Sequence, residues 1–74
     1  MSLPLLSYEE LKELRDTYYV FFVKQRYKVG GCGIGVNCAV IMVYDYYTLQ
    51  RLQKEYPHEY IKYVLVNIAN PVVN

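Results

Sequence analysis

The chain has no tryptophan, one histidine, two serines and two cysteines, and over its 74 residues it carries a net charge of only +1. Each scarcity excludes something. His58 has no second histidine four residues on, so the paired-histidine metalloprotease pattern is absent. Ser2 and Ser7 are taken up by the chain start and by a helix cap, which leaves no serine for nucleophilic chemistry. A cysteine nucleophile would need Cys32 or Cys38 folded against His58, and nothing in the spacing brings them together. The charge balance argues against a strongly basic nucleic-acid module. The longest uncharged stretch, Val29 to Tyr44, holds sixteen residues, four of them glycine, whereas a membrane-spanning helix wants about 20 mostly apolar residues. No basic segment leading into an apolar one opens the chain, so the expectation is a cytoplasmic protein without a secretory leader. With no catalytic or cofactor signature complete, the chain reads as noncatalytic, with no cofactor, no small-molecule substrate and no membrane association.

What is present is apolar. Hydrophobic residues make up 54% of the sequence and charged ones 20%, a composition that folds rather than one that stays disordered. Seventy-four residues make one domain, 1–74, and a chain of this size buries only about 60% of its unfolded surface. A core that small rarely supplies more than about 3–5 kcal/mol without a staple, a metal or a second subunit. A homodimer is the simplest supplement.

All four glycines fall within six residues: Gly30, Gly31, Gly33 and Gly35. Such a cluster reads as a loop in which backbone must turn or approach something closely. It does not read as a nucleotide site. The dinucleotide fingerprint needs a third glycine at Val36 or Cys38, and the phosphate-loop pattern needs a lysine where Val36 follows Gly35.

Around this segment the elements are expected in the order α-β-β-α-β. Ser7 and Glu10 form a capping box, with Leu6 and Leu11 as its hydrophobic staple, so a helix is expected from Ser7 to about Asp16. The aromatic and β-branched run from Tyr18 reads as a first strand, Tyr18 to Val29, with Lys24, Arg26 and Lys28 along one side. Its rival is a single helix from Ser7 to Lys28, because Leu11, Leu14, Tyr18, Phe21 and Phe22 also fit a helical period. After a glycine hairpin, Cys38 to Tyr44 reads as a strand buried on both faces. Asp45 then caps a helix from Tyr46 to Tyr56, which Pro57 stops. Glu59 to Ile68 alternates as a third strand, parallel to the second by a right-handed crossover. The expected class is therefore α+β, a three-stranded, mostly antiparallel sheet with two helices on one face. An all-α helical hairpin that dimerises is the alternative.

Two sets of residues are candidates for function. Lys24, Arg26 and Lys28 with Tyr27 could contact a protein partner or the phosphates of a nucleic acid, although lysines along a strand also discourage edge aggregation. Cys32 and Cys38 could close a disulfide, remain buried thiols, or join a zinc site completed across a dimer, which makes a thiol-redox or zinc-binding protein the alternative function. The ten tyrosines, paired at Tyr18-Tyr19 and Tyr46-Tyr47, suit both cores and recognition surfaces. In this tyrosine-, valine- and isoleucine-rich composition the chain resembles the small orphan proteins of crenarchaeal viruses and plasmids. That resemblance carries no motif and implies a thermophilic intracellular host, tolerance of cytosolic disulfides, and roles such as nucleic-acid binding or interference with host machinery.

Overall fold

The computed structural model describes residues 3–66. Its elements are α1 (Tyr8–Lys24), β1 (Val29–Gly35), β2 (Cys38–Val43), α2 (Tyr46–Glu55) and β3 (Ile61–Leu65), so the α-β-β-α-β order and the α+β class hold. The all-helical alternative does not. The sheet order is β1-β2-β3, with β1 antiparallel and β3 parallel to β2. The sheet is thus evenly mixed rather than mostly antiparallel. The expected end of the third strand at Ile68, and the tail beyond it, lie outside the described residues.

The capping box forms as expected. The Glu10 amide donates to Ser7 Oγ at 3.1 Å and the Ser7 amide donates to Glu10 Oε1 at 2.8 Å. The helix that starts there does not stop at Asp16, and this corrects the expected strand from Tyr18 to Val29. Seven of that strand's residues, Tyr18 to Lys24, are helical. The reason is packing. Strand preference is a weak, context-dependent term, whereas the helical period puts Leu11, Leu14, Tyr18 and Phe22 on one stripe, and Phe22 is fully buried. Val20, Phe21 and Val23, the residues that looked most strand-like, keep large exposed surfaces on the helix.

α1 ends at a Schellman motif. Tyr27 N–H donates to Phe22 O, and Arg26 N–H donates to Val23 O, both at 3.0 Å. Arg26 occupies the left-handed position with φ 65°, where glycine is the usual residue. The apolar contact that accompanies this motif is Tyr27 against Phe22, ring centroids 5.6 Å apart. Phe22 also meets the rings of Tyr18, Phe21, Tyr56 and Tyr63 at 5.4 to 5.9 Å. One fully buried phenylalanine therefore joins both helices, the turn and β3.

The glycine segment is not a loop but most of β1. None of its glycines has positive φ; the hairpin turn is Val36-Asn37, and Asn37 supplies the left-handed residue with φ 52°. Asn37 also fastens the chain start, accepting from Leu6 N–H at 2.9 Å and donating to Pro4 O at 3.2 Å. Tyr60 adds an O–H bond to the same Pro4 carbonyl at 2.6 Å. At the far end of β1, the Lys28 carbonyl accepts from Tyr44 N–H at 3.0 Å, and a bulge follows at Gly30. A Cβ on Gly30 would lie about 2.0 Å from the Tyr44 ring, so glycine there makes room for the tyrosine.

Candidate interaction surface

Alternation along β2 divides the sheet into two unlike faces. Ala39, Ile41 and Val43 are fully buried beneath the helices, in one cluster with Phe22, Leu52, Ile61 and Tyr63. Cys38, Val40 and Met42 point the other way and are half-buried. The pairing extends that second face. Opposite Met42, Val40 and Cys38 lie Gly31, Gly33 and Gly35 of β1, and beside Met42 and Val40 lie Val64 and Lys62 of β3. Both helices pack on the first face, through Phe22 and Leu52. The second face is a flat apolar strip with three bare glycines along one strand and the Lys62 ammonium as its charge.

This geometry separates the two cysteines. Cys32 lies opposite Ile41 and so on the helix side, whereas Cys38 lies opposite Gly35 on the helix-free side. Three rungs of the ladder separate them, about 10 Å at the usual rise per residue, beyond the reach of a disulfide. Both thiols are free. Of the three alternatives, free thiols are what the structure holds: one chain cannot close a bridge between them, nor can both sulfurs bind one ion within it. No group of three or more His, Cys, Asp or Glu that could hold a metal occurs among the described residues.

The basic residues are likewise redistributed. Lys24 ends α1, Arg26 sits in the left-handed turn, and Lys28 leads into β1, so they ring the α1–β1 connection instead of lining one strand face. Lys28 Nζ lies 3.7 Å from Asp45 Oδ2. Asp45 in turn caps α2, accepting from Thr48 N–H at 2.7 Å, and that amide together with Lys28 holds its carboxyl below the ordinary range. Tyr27 is committed elsewhere: its hydroxyl donates to Glu55 Oε1 at 3.1 Å, and the Arg51 guanidinium lies 5.3 Å from its ring centroid. Burial, with hydrogen bonds to Tyr56 and Glu55, pushes the Tyr27 phenol up to about 12. Arg51 grips Glu55 through two nitrogens, at 3.1 and 3.2 Å, and keeps that carboxyl low. The Tyr27 ring also meets those of Phe22 and Tyr56 edge-on, at 5.6 and 6.1 Å.

His58 is structural as well. Its Nδ1 accepts from Tyr60 N–H at 3.1 Å, and its ring meets Tyr18 edge-on at 5.5 Å. Between the helices, Thr17, Tyr18, Phe21 and Tyr56 line an apolar depression of about 240 Å³, smaller than the usual ligand pocket and without the converging charged groups of a catalytic one.

Compared with known protein families, curated proteins and solved structures, the chain matches none. No helix among the described residues is long and apolar enough to cross a membrane.

Proposed function

We propose that this chain is a noncatalytic interaction protein that works as a homo-oligomer and offers the helix-free face of its sheet to a protein partner. The observation that supports the reading is the inequality of the two faces: one sheet, one side sealed by aromatic side chains and two helices, the other apolar and bare. Three strands of five to seven residues present roughly 15 by 20 Å, about 300 Å² of face. A stable interface takes about 800 Å² from each partner, so one copy's face is too small to hold a partner alone and two copies side by side come close. A protein partner fits better than nucleic acid, because the face carries one lysine while Lys24, Arg26 and Lys28 surround a turn elsewhere.

Sedimentation equilibrium over a wide concentration range tests the first half of the proposal. Reversible self-association is expected, and a monomer at every concentration would remove the reading. A gel shift at low salt with single-stranded and duplex nucleic acid tests the second half. No shift is expected; a salt-sensitive shift abolished by Lys24→Ala with Arg26→Ala would move the function to nucleic acid.

A further inference from the structure

The sheet has an unpaired side at β1, and the hydrogen bonds identify which residues face it. Ala39 N–H donates to Tyr60 O at 2.7 Å, and Val43 O accepts from Val66 N–H at 2.8 Å, so the odd-numbered positions of β2 bond toward β3. In an antiparallel ladder, two opposite residues either exchange both bonds or neither. Ile34, opposite Ala39, and Cys32, opposite Ile41, therefore turn their N–H and C=O groups to the outer edge. No turn, loop or cap bond reaches either one among the described residues.

Proteins ordinarily guard such an edge with a charge, a proline, a bulge or a cover. The opposite edge strand, β3, carries Lys62. The seven residues of β1, Val-Gly-Gly-Cys-Gly-Ile-Gly, include no charge and no proline, and the bulge at Gly30 precedes the straight stretch from Gly31 to Gly35. The absence of charge matters in a specific way. A two-fold interface sets each residue against its own kind or a near neighbour, so any charge near the axis would meet its copy.

We infer that the outer edge of β1 pairs antiparallel with the same edge of a second copy about a two-fold axis at Gly33, which makes one continuous six-stranded sheet. This rests on the homo-oligomer reading above and names its geometry. Outward-facing residues must meet outward-facing residues. With the axis at Gly33, Cys32 of each copy exchanges two bonds with Ile34 of the other, four in all, and the bulged Gly30 is left out. Gly33 then lies opposite itself in the closely spaced, non-bonded position, with Cα atoms about 4.5 Å apart. The protein's own fold does not ask for glycine there. A Cβ on Gly30 would strike Tyr44, and one on Gly31 or Gly35 would press on Met42 or Cys38, but one on Gly33 would meet nothing within 4 Å. The joint also places the two helix-free faces side by side, doubling the face to about 600 Å², close to the area a partner needs.

Two variants test the geometry. Ile34→Pro removes the outward N–H and leaves the hairpin bonds to β2 in place, as proline on an edge strand can; it is expected to sediment as a monomer with an unchanged circular dichroism spectrum. Gly33→Cys, in a background of Cys32→Ser and Cys38→Ser, is expected to form a covalent dimer with added mild oxidant at least about tenfold faster than Val36→Cys in the same background, because only the former thiols meet at the axis. Val36 is 96% exposed at the hairpin tip and serves as the accessible control. An oligomer that persists in Ile34→Pro, or cross-linking no faster at position 33 than at 36, overturns the edge geometry while leaving self-association intact. A wild-type protein that stays monomeric overturns both. Should Ile34→Pro fail to fold, the cross-linking rates decide.

Discussion

The two faces of the sheet are built from the same three strands by opposite means. On the helix side, specificity comes from interlocked rings: Phe22 touches five aromatic neighbours, the Tyr27 hydroxyl donates to Glu55, and the Tyr63 hydroxyl donates to the Tyr56 carbonyl. On the other side, β1 contributes no side chain at all along Gly31, Gly33 and Gly35. Glycine here is a surface-forming residue rather than a turn-forming one. It flattens a face and clears space for Met42, Cys38 and Tyr44, and the turn itself falls to Asn37.

If that contrast is right, truncating the two sides must give unequal results. Phe22→Ala removes the ring at the centre of the core and should cost about 3–5 kcal/mol in urea denaturation, whereas Met42→Ala on the helix-free face of the isolated protomer should cost about 1 kcal/mol or less. Equal losses would erase the distinction. A step smaller is the Schellman turn that holds Tyr27 against Phe22. Arg26→Gly relieves a left-handed conformation and should stabilise by about 1 kcal/mol, read as a raised melting temperature; a loss would mean that the arginine side chain holds the turn.

Gly30→Ala forces the Tyr44 ring aside and should cost roughly 1 kcal/mol, while Gly33→Ala, with open space around its Cβ and no positive φ, should stabilise the protomer by about 0.4–1 kcal/mol through the unfolded chain. The smallest effect is that of pH, and it belongs to the helix side. Glu55 and Asp45 sit below their ordinary values of 4.5 and 3.8, so the unfolded chain takes up protons first; their stabilisation is complete above about pH 5 and is lost as pH falls through those values. Tyr27, raised from 10 to about 12, contributes fully below pH 10 and is lost as pH rises toward 12. Between pH 5 and 9 these three groups should add nothing to the pH dependence of thermal melts.

Much of this fold was legible in local chemistry. Ser7 with Glu10, Asp45 before Tyr46, and the alternation of Ile61, Lys62 and Tyr63 each announce their element, because caps and period-two patterns act within a few residues. The run from Tyr18 to Lys24 was misread because intrinsic preference and tertiary packing disagree there, and packing around Phe22 wins. The glycine strand was hidden for the opposite reason: four of the six residues from Gly30 to Gly35 are glycine, which disfavours a strand, and pairing with β2 makes it one. The basic row vanished with the misread strand, and Asn37, which ties the hairpin to the chain start, gave no signal beyond its tolerance of left-handed backbone. The separation of Cys32 from Cys38 follows from a register that spacing alone does not define.

Residue-resolved amide exchange along β1 reads the proposed edge pairing at the N–H groups that would form it. At concentrations where the protein self-associates, the account predicts slow exchange at Cys32, Gly33, Ile34 and Gly35 alike; on dilution to monomer, Cys32 and Ile34 should exchange rapidly while Gly33 and Gly35, bonded to β2, stay protected. Fast exchange at Cys32 and Ile34 in the associated state would contradict it.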